Sequence, residues 1–217
     1  NLSNGNISSD GGSAVGNPSG AHFSGDGGII TINASNIYVG SNSQISSASD
    51  YLRDSTRDRS GVNGGKIMLN ATLINITGIL DVRGGTGDSG SCSGTRGRRG
   101  TGGIVTIISS TAQISKINAD RGSIGFCSNG NGGSITVNAT NTLTIDSQIT
   151  ATGNVSGNIT LIAKELYING TLNATNQTGD SSTALNGTIN LFYNVTINIS
   201  QATITPPPFL TKENEFG

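Results

Sequence analysis

Apolar residues recur at every second position in short runs along most of the chain. Ile135, Val137 and Ala139 alternate with Thr and Asn, and the run that begins at Ile30 has the same form. A period of two is typical of β-strands, because successive side chains of a strand point to opposite faces. The pattern therefore predicts short strands with one apolar and one polar face.

These runs belong to six copies of one repeat. Each copy opens with a glycine pair or its equivalent, and its three apolar runs are separated by a few residues each. The openings read GGIITINA from Gly27, GGKIMLNA from Gly64, GGIVTIIS from Gly102, GGSITVNA from Gly132, SGNITLIA from Ser156 and NGTINLFY from Asn186. Strands this short cannot form hairpins within a copy, so we expect each to pair in parallel with its equivalent in the next copy.

The unit GGSITVNATNTLTIDSQITATG resembles the repeats of glycine-rich right-handed parallel β-helix proteins of pectate-lyase-like architecture. The resemblance covers residues 27–205 and implies an all-β solenoid of about six three-strand rungs. Its handedness follows from the resemblance and from the right-handed preference of parallel crossovers. The architecture carries lyases, adhesins and structural shafts alike, so it implies no activity. We expect one inward column to contain Ile32, Leu69, Ile107, Val137, Leu161 and Leu191.

The copies are unevenly spaced, which divides the chain into repeats and inserts. Residues 1–26 are interpreted as the end of a preceding rung and its insert, and residues 27–205 as the β-helix. Residues 206–217 are interpreted as a tail or linker led by three prolines, which lack backbone donors and stop strand pairing. The inserts leave from one corner and predict a ridge along one edge: 50–63, 84–101, 121–131 and 175–185.

Composition excludes several classes of protein. The chain has 217 residues with 33 glycines, no Trp, 12 basic and 13 acidic residues. A net charge of -1 gives no electrostatic basis for binding nucleic acid or an anionic membrane, and no apolar run is long enough to span a bilayer. Few helix-forming residues and ordered alternation argue against a helical bundle and against disorder.

Glycosylation sequons are unusually dense. More than half of the asparagines begin Asn-x-Ser/Thr, against about a quarter expected by chance at this Ser and Thr content. This density predicts a secreted or cell-surface glycoprotein carrying N-linked glycans; the alternative is that alternating Asn and Thr produce sequons by pattern alone. The sequon asparagines are Asn1, Asn6, Asn33, Asn70, Asn75, Asn138, Asn154, Asn158, Asn169, Asn173, Asn176, Asn186, Asn194 and Asn198.

The two cysteines, Cys92 and Cys127, lie in successive inserts and are predicted to form a disulfide. Free thiols are the alternative, and a zinc site lacks ligands because His22 is the only histidine and lies in another insert. We expect titration of the denatured, unreduced protein to find no reactive thiol. Two reactive thiols would contradict the cross-link, which would stabilise the fold by about 3–4 kcal/mol.

Candidate catalytic chemistry is sparse. The sequence at 87–90, GDSG, matches the nucleophile loop of trypsin-like proteases, but the only histidine lies elsewhere in the chain. Polysaccharide lyases and hydrolases of this architecture use carboxylates on an outer sheet face, and Asp81 is the only one at an outward strand position. Threonine occupies the outward position in the first run of most copies, as in the threonine ranks of β-helical ice-binding proteins. Met68 and Asn190 interrupt this column, which argues against ice binding. We therefore predict a chain with no catalytic residue, cofactor or metal, with a polysaccharide-cleaving enzyme as an alternative.

The leading hypothesis is a non-catalytic, glycosylated extracellular shaft: a segment of a surface fibre, cell-wall protein or adhesin. The binding-module alternative is carbohydrate recognition by the insert ridge. Arg96, Arg98 and Arg99 have no acidic neighbour in sequence and are candidates for binding a polyanionic polysaccharide.

Two outward apolar residues predict an assembly contact. Ile162 and Phe192 are expected to stack on adjacent rungs and to receive a second subunit in a homo-oligomer or filament. The alternative is that the chain's own tail covers them, through Phe209, Leu210 and Phe216.

Overall fold

The computed structural model describes residues 1–11, 25–49, 62–86, 100–122, 130–176 and 185–213. All regular structure in these residues is β-strand, in one parallel sheet. The strands are β1 (Asn6–Ser8), β2 (Ile29–Val39), β3 (Gln44–Ser46), β4 (Lys66–Asp81), β5 (Ile104–Asn118), β6 (Ser134–Thr150), β7 (Asn158–Ile168), β8 (Thr171–Asn173), β9 (Thr188–Asn198), β10 (Thr203–Thr205) and β11 (Phe209–Lys212).

Each repeat pairs in parallel with the next, as the alternation predicts. The main strands follow one another in the order β2, β4, β5, β6, β7 and β9. The predicted inward column is confirmed, because its members are direct partners in successive repeats: Ile32, Leu69, Ile107, Val137, Leu161 and Leu191.

The three short strands predicted for each repeat are one continuous strand in the central repeats. β4, β5 and β6 each span all three apolar runs, whereas the third run is separate as β3, β8 and β10. Register shifts, such as the one between Ile76 and Ile79, fall where the sequence predicts turns. Hydrogen bonding to the next repeat thus resumes directly after each bend, and the strand continues through it.

One apolar core runs through the stack. Leu69, Ile74 and Leu80 come from the three runs of a single repeat, yet all are at most 1% exposed and belong to one buried cluster. The cluster includes the corresponding residues of the central repeats. At the ends of the stack, Ile32 and Ile204 are only partly buried.

The glycine pairs lie where each repeat passes close to its own end. A Cβ on Gly64 would be 1.9 Å from the carbonyl oxygen of Val82, at the end of the same repeat. A Cβ on Gly103 would be 2.1 Å from the Gly65 carbonyl oxygen, and the Gly103 N–H donates to Val82 O at 2.6 Å. Close approach of backbones therefore excludes any side chain here.

A ladder of side chains precedes the glycine pairs. Asp26 Oδ1 accepts the Asn63 N–H at 2.7 Å, and Asn63 Oδ1 accepts the Thr101 N–H at 3.1 Å. Asn131 Oδ1 continues it by accepting the Val155 N–H at 3.4 Å. Each side chain thereby supplies an acceptor for the next repeat at the corner.

Strand pairing extends into both terminal segments. Leu2 pairs with Val39 and β1 pairs with β3, so residues 1–11 lie on the end of repeat 1. At the other end, Pro206 to Pro208 interrupt pairing only briefly, and β11 then pairs in parallel with β9. The expectation that the prolines stop strand pairing is wrong, because they occupy the corner and the donors resume at Phe209.

Candidate functional site

The outer face of the third run carries a cluster of hydrogen-bonded polar residues, and we call it the third-strand face. Its first row contains residues of the third run that point away from the core. Its second row lies two residues further along each repeat, before the insert begins. The first row is Ser46, Asp81, Asn118, Thr150 and Asn173, and the second is Asp10, Ala48, Arg83, Asp120 and Thr152.

Asp81 is buried, with 3% of the residue exposed, which corrects the expectation that it stands on an open outer surface. Arg83 folds back over it and donates from Nε to both carboxylate oxygens at 3.0 Å. Arg83 Nη2 lies 2.7 Å from Asp81 Oδ2, and Gln44 Nε2 donates to the same oxygen at 3.4 Å. The carboxylate is therefore covered by its own ion pair.

The Arg83 guanidinium is half-exposed and surrounded by acidic groups. Its hydrogen bond to Asp81 raises the pKa of Arg83 above the ordinary value, and partial burial opposes that rise. The negative charges of Asp81, Asp120 and Asp10 raise the same pKa further. Arg83 consequently stays charged at any physiological pH.

Asp120 belongs to this face and directly precedes the insert that begins at residue 121. Its Oδ1 accepts the Thr152 N–H at 2.7 Å and the Thr152 hydroxyl at 2.8 Å. Its Oδ2 accepts the Thr150 hydroxyl at 2.9 Å. One carboxylate thus links repeat 3 to repeat 4 through three hydrogen bonds.

Asp10 repeats this arrangement at the N-terminal end. Its Oδ1 accepts the Ala48 N–H at 2.8 Å and the Ser46 hydroxyl at 2.5 Å, and its Oδ2 accepts the Ser8 hydroxyl. Asp10 and Arg83 border a polar cleft of about 250 Å³, lined also by Gln44, Ser46, Ala48, Ser49 and Asp81. The cleft is small for a ligand pocket.

The chemistry of the third-strand face is that of cross-linking between repeats. Asp10 and Asp120 accept backbone N–H groups of the next repeat, and Asp81 accepts from Gln44 of the preceding repeat besides its ion pair with Arg83. Catalysis by a carboxylate pair needs one group free to give or take a proton at the substrate. All three carboxylates instead hold their own fold together.

Replacing Asp120 with Ala is expected to lower the free energy of unfolding by about 2–4 kcal/mol, because three donors of repeat 4 lose their acceptor. The matched control is Asp146→Ala. Asp146 is exposed, and among the described residues it accepts only from two exposed side chains, Gln113 Nε2 at 2.6 Å and Asn169 Nδ2 at 3.3 Å. Water can replace both, so we expect a change below about 1 kcal/mol. Denaturant titration measures both. Equal losses in the two variants would contradict the cross-linking role of Asp120.

Several predicted site residues lie outside the described residues. These are Cys92 and Cys127, whose cross-link stays a prediction, and the candidate polyanion-binding residues Arg96, Arg98 and Arg99.

All fourteen sequon asparagines lie within the described residues, and none is fully buried. Asn75 differs from the other described sequon asparagines because its Oδ1 atom is buried without a hydrogen-bond partner. The exposed ones are Asn1, Asn6, Asn33, Asn70, Asn158, Asn169, Asn186 and Asn198, and the half-buried ones are Asn75, Asn138, Asn154, Asn173, Asn176 and Asn194. Steric access therefore exists for about half of the sites.

The outward apolar pair is placed as predicted in register, with Ile162 directly opposite Phe192. Both are half-buried. The described part of the tail extends the sheet beside β9, where Thr211 pairs with Phe192 and Phe209 is 64% exposed. Phe209–Lys212 thus add a strand at the sheet edge, and Phe216 lies outside the described residues.

Sequence reasoning missed the second row of the third-strand face and the ladder before the glycine pairs. The signal was present: Asp26, Asn63 and Asn131 each stand immediately before a glycine pair. Asp and Asn are common in turns, so their position before a glycine pair predicts only a turn and not a hydrogen bond to the next repeat.

Comparisons of the chain with protein-family models, with curated proteins and with solved structures gave no match. No helix long and apolar enough to cross a membrane occurs in the part of the chain that the structure describes. Within the same residues, no group of three or more His, Cys, Asp or Glu side chains is arranged to hold a metal ion.

Proposed function

We propose that this protein is a non-catalytic structural shaft, built as a right-handed parallel β-helix and carried on an extracellular or cell-surface glycoprotein. The observation that carries the proposal is the apolar core that continues through the stacked repeats. On the outer face, polar side chains connect one repeat to the next. The repeats contact chiefly their neighbours, as in other solenoids.

Two contacts support a closed coil. The first is the 1.9 Å separation between a Cβ on Gly64 and Val82 O, which places the end of a repeat beside its own start. The second is the shared burial of Leu69, Ile74 and Leu80, since inward faces of three successive runs meet only if the sheet wraps around them. Parallel crossovers of this kind are right-handed in nearly all proteins.

The non-catalytic role rests on the third-strand face. Asp81 is occupied by Arg83, and Asp10 and Asp120 accept backbone N–H groups of the next repeat. A shaft needs such links because each solenoid repeat has little core of its own. The sequon density and the exposed asparagines support the extracellular glycoprotein part of the proposal.

Incubation of the purified protein with acidic polysaccharides tests the non-catalytic role. We expect no release of reducing or unsaturated sugar ends above a buffer control. Cleavage that is lost in Asp10→Asn would contradict the proposal.

Mass spectrometry of native material tests the glycoprotein part: we expect several occupied sequons, with Asn33 and Asn70 rarely occupied together because they are direct partners in adjacent repeats. Native material without any glycan would contradict it.

Carbohydrate binding is a second candidate, favoured by three arginines that have no acidic neighbour in sequence: Arg96, Arg98 and Arg99. A glycan array tests this function. Binding of sulfated or uronic glycans that disappears when these three arginines are replaced with Ala supports it, and an array without signal contradicts it.

A further inference from the structure

Asparagine is followed directly by glycine at several corners of the stack. Asparagine is chemically labile in such a pair, because a glycine has no side chain to hinder attack of its backbone nitrogen on the asparagine side chain. Asn129 lies outside the described residues, which leaves five pairs to compare. These are Asn4–Gly5, Asn63–Gly64, Asn131–Gly132, Asn169–Gly170 and Asn186–Gly187.

Four of the five glycine nitrogens are held by a hydrogen bond. An N–H that donates to an oxygen must give up this bond before its nitrogen can react, which opposes the reaction. In the part of the chain that the structure describes, the N–H of Gly170 has no acceptor. The held donors and their acceptors are Gly5 and Ser43 Oγ at 3.3 Å, Gly64 and Thr101 O at 2.9 Å, Gly132 and Val155 O at 3.0 Å, and Gly187 and Ala174 O at 2.9 Å.

Three of the asparagine side chains are held by backbone as well. Their Oδ1 atoms each accept an N–H: Asn63 from Thr101 at 3.1 Å, Asn131 from Val155 at 3.4 Å and Asn186 from Asn176 at 3.1 Å. Asn169 is exposed, and its Nδ2 donates to the exposed carboxylate of Asp146 at 3.3 Å. Asn169–Gly170 is therefore the described pair in which neither the attacking nitrogen nor the asparagine oxygen is bound to backbone.

We propose that Asn169 is a site of spontaneous deamidation, with water as the co-reactant. The Gly170 nitrogen loses its proton to water or hydroxide and forms a bond to Asn169 Cγ. The Cγ–Nδ2 bond breaks, and the side-chain nitrogen leaves as ammonia after taking a proton from water. Water then opens the cyclic succinimide at either carbonyl, which gives aspartate or isoaspartate, and no atom changes its oxidation state. This modification goes beyond the proposed shaft function and does not depend on it.

The fold itself requires the glycine that makes Asn169 labile. A Cβ at Gly170 would collide with the carbonyl oxygen of Ser147 in the preceding repeat, so no other residue fits this corner. The Asn169 N–H donates to Ile145 O at 2.8 Å, and Gly170 O accepts the Thr203 N–H at 3.1 Å. These two bonds attach the pair to both neighbouring repeats, and neither of them involves the attacking nitrogen.

Deamidation would also change a contact between repeats. Asp146 accepts from Gln113 at 2.6 Å and from Asn169 at 3.3 Å, so the three side chains form a line across three successive repeats. A carboxylate at position 169 cannot donate to Asp146 and places a second negative charge beside it. Like charges on adjacent strands repel, so the modification turns this link into a repulsive pair.

The first experiment measures deamidation at each pair in the folded protein. The chain is produced in a bacterial host, because a glycan on Nδ2 of the sequon residue Asn169 would block the reaction, and is incubated in mildly alkaline buffer. Tandem mass spectrometry over time locates aspartate and isoaspartate. We expect Asn169 to react at least about tenfold faster than Asn63, Asn131 and Asn186, which must first open their hydrogen bonds, with Asn4 between these limits.

The matched control is the same protein in denaturant. Every pair has the same following residue, so we expect the rates to become similar once the hydrogen bonds are lost. An Asn169 rate no faster than those of Asn63, Asn131 and Asn186 in the folded protein would overturn the proposal. The same ranking in denaturant would also overturn it, because local sequence and not the fold would then set the rates.

The second experiment replaces the reacting residue. Asn169→Gln keeps a side-chain amide but requires a larger ring, so we expect loss of the fast phase of ammonia release from the folded protein. Circular dichroism confirms that the variant is folded. Unchanged fast release of ammonia would contradict the assignment to Asn169. If the bacterial product folds poorly, isoaspartate in the unglycosylated fraction of native material gives the same ranking, because isoaspartate forms only through the succinimide.

Discussion

Gly133→Ala is expected to destabilise the fold by more than about 4 kcal/mol, a large part of the roughly 5–15 kcal/mol total stability of an ordinary protein, and so to lower the unfolding midpoint steeply. The added Cβ would lie 2.0 Å from the carbonyl oxygen of Gly103 in the preceding repeat. Because that atom is backbone, relief requires the two repeats to separate. Separation would break the bond from Gly133 N–H to Ala119 O, which measures 2.7 Å.

The matched control is Gly5→Ala, where the nearest atom to an added Cβ is Leu2 Cδ1 at 3.4 Å. Both variants lose the same backbone freedom in the unfolded chain, so their difference isolates the contact between repeats. Denaturant unfolding followed by circular dichroism measures both. A Gly133→Ala midpoint within error of the control would show that the repeats are not packed backbone to backbone.

Val137→Asp is expected to prevent folding, because it places a carboxylate in the continuous core. Val137 is fully buried, with Ile107 and Leu161 as its partners in the adjacent repeats. An unpaired buried charge costs several kcal/mol even after local relaxation. Thr136→Asp introduces the same group one residue earlier, on the outward side, and should change stability by less than about 1 kcal/mol.

Far-ultraviolet circular dichroism and the thermal transition distinguish these two variants. We expect a native spectrum and transition for Thr136→Asp and neither for Val137→Asp. Similar behaviour of the two variants would contradict the assignment of inward and outward positions, since neighbouring residues of a strand differ only in the face they occupy.

The parallel pairing and the inward columns were predictable because alternation leaves one register that buries the apolar face. Leu69 opposite Ile107 follows from the repeat alignment alone. The burial of Asp81 was not predictable in this way. It depends on Arg83, whose side chain folds back along its own repeat, and on Gln44, which reaches Asp81 from another repeat.

The links between repeats show a second limit of pattern reasoning. Asp120 and Asn63 are polar residues beside glycine-rich segments, where polar character alone predicts a solvated turn. Their side-chain oxygens accept N–H groups of the next repeat, at Thr152 and Thr101. Predicting these bonds requires the distance between the backbones of adjacent repeats, which the sequence pattern does not give. The corners also differ from expectation, because strand pairing persists through residues that the sequence marks as turns.

Removing one complete repeat tests most directly whether the chain is a stack of equivalent units. Deletion of residues 132–155 joins Asn131 to Ser156 and preserves the inward register, so that Ile107 meets Leu161. The control deletes residues 141–152, which removes the second and third runs of the same repeat and leaves the first without its continuation. Thermal unfolding followed by circular dichroism should show a cooperative, less stable β-structure for the full-repeat deletion and no transition for the partial one. Loss of folding in both deletions would contradict the stacked-repeat account.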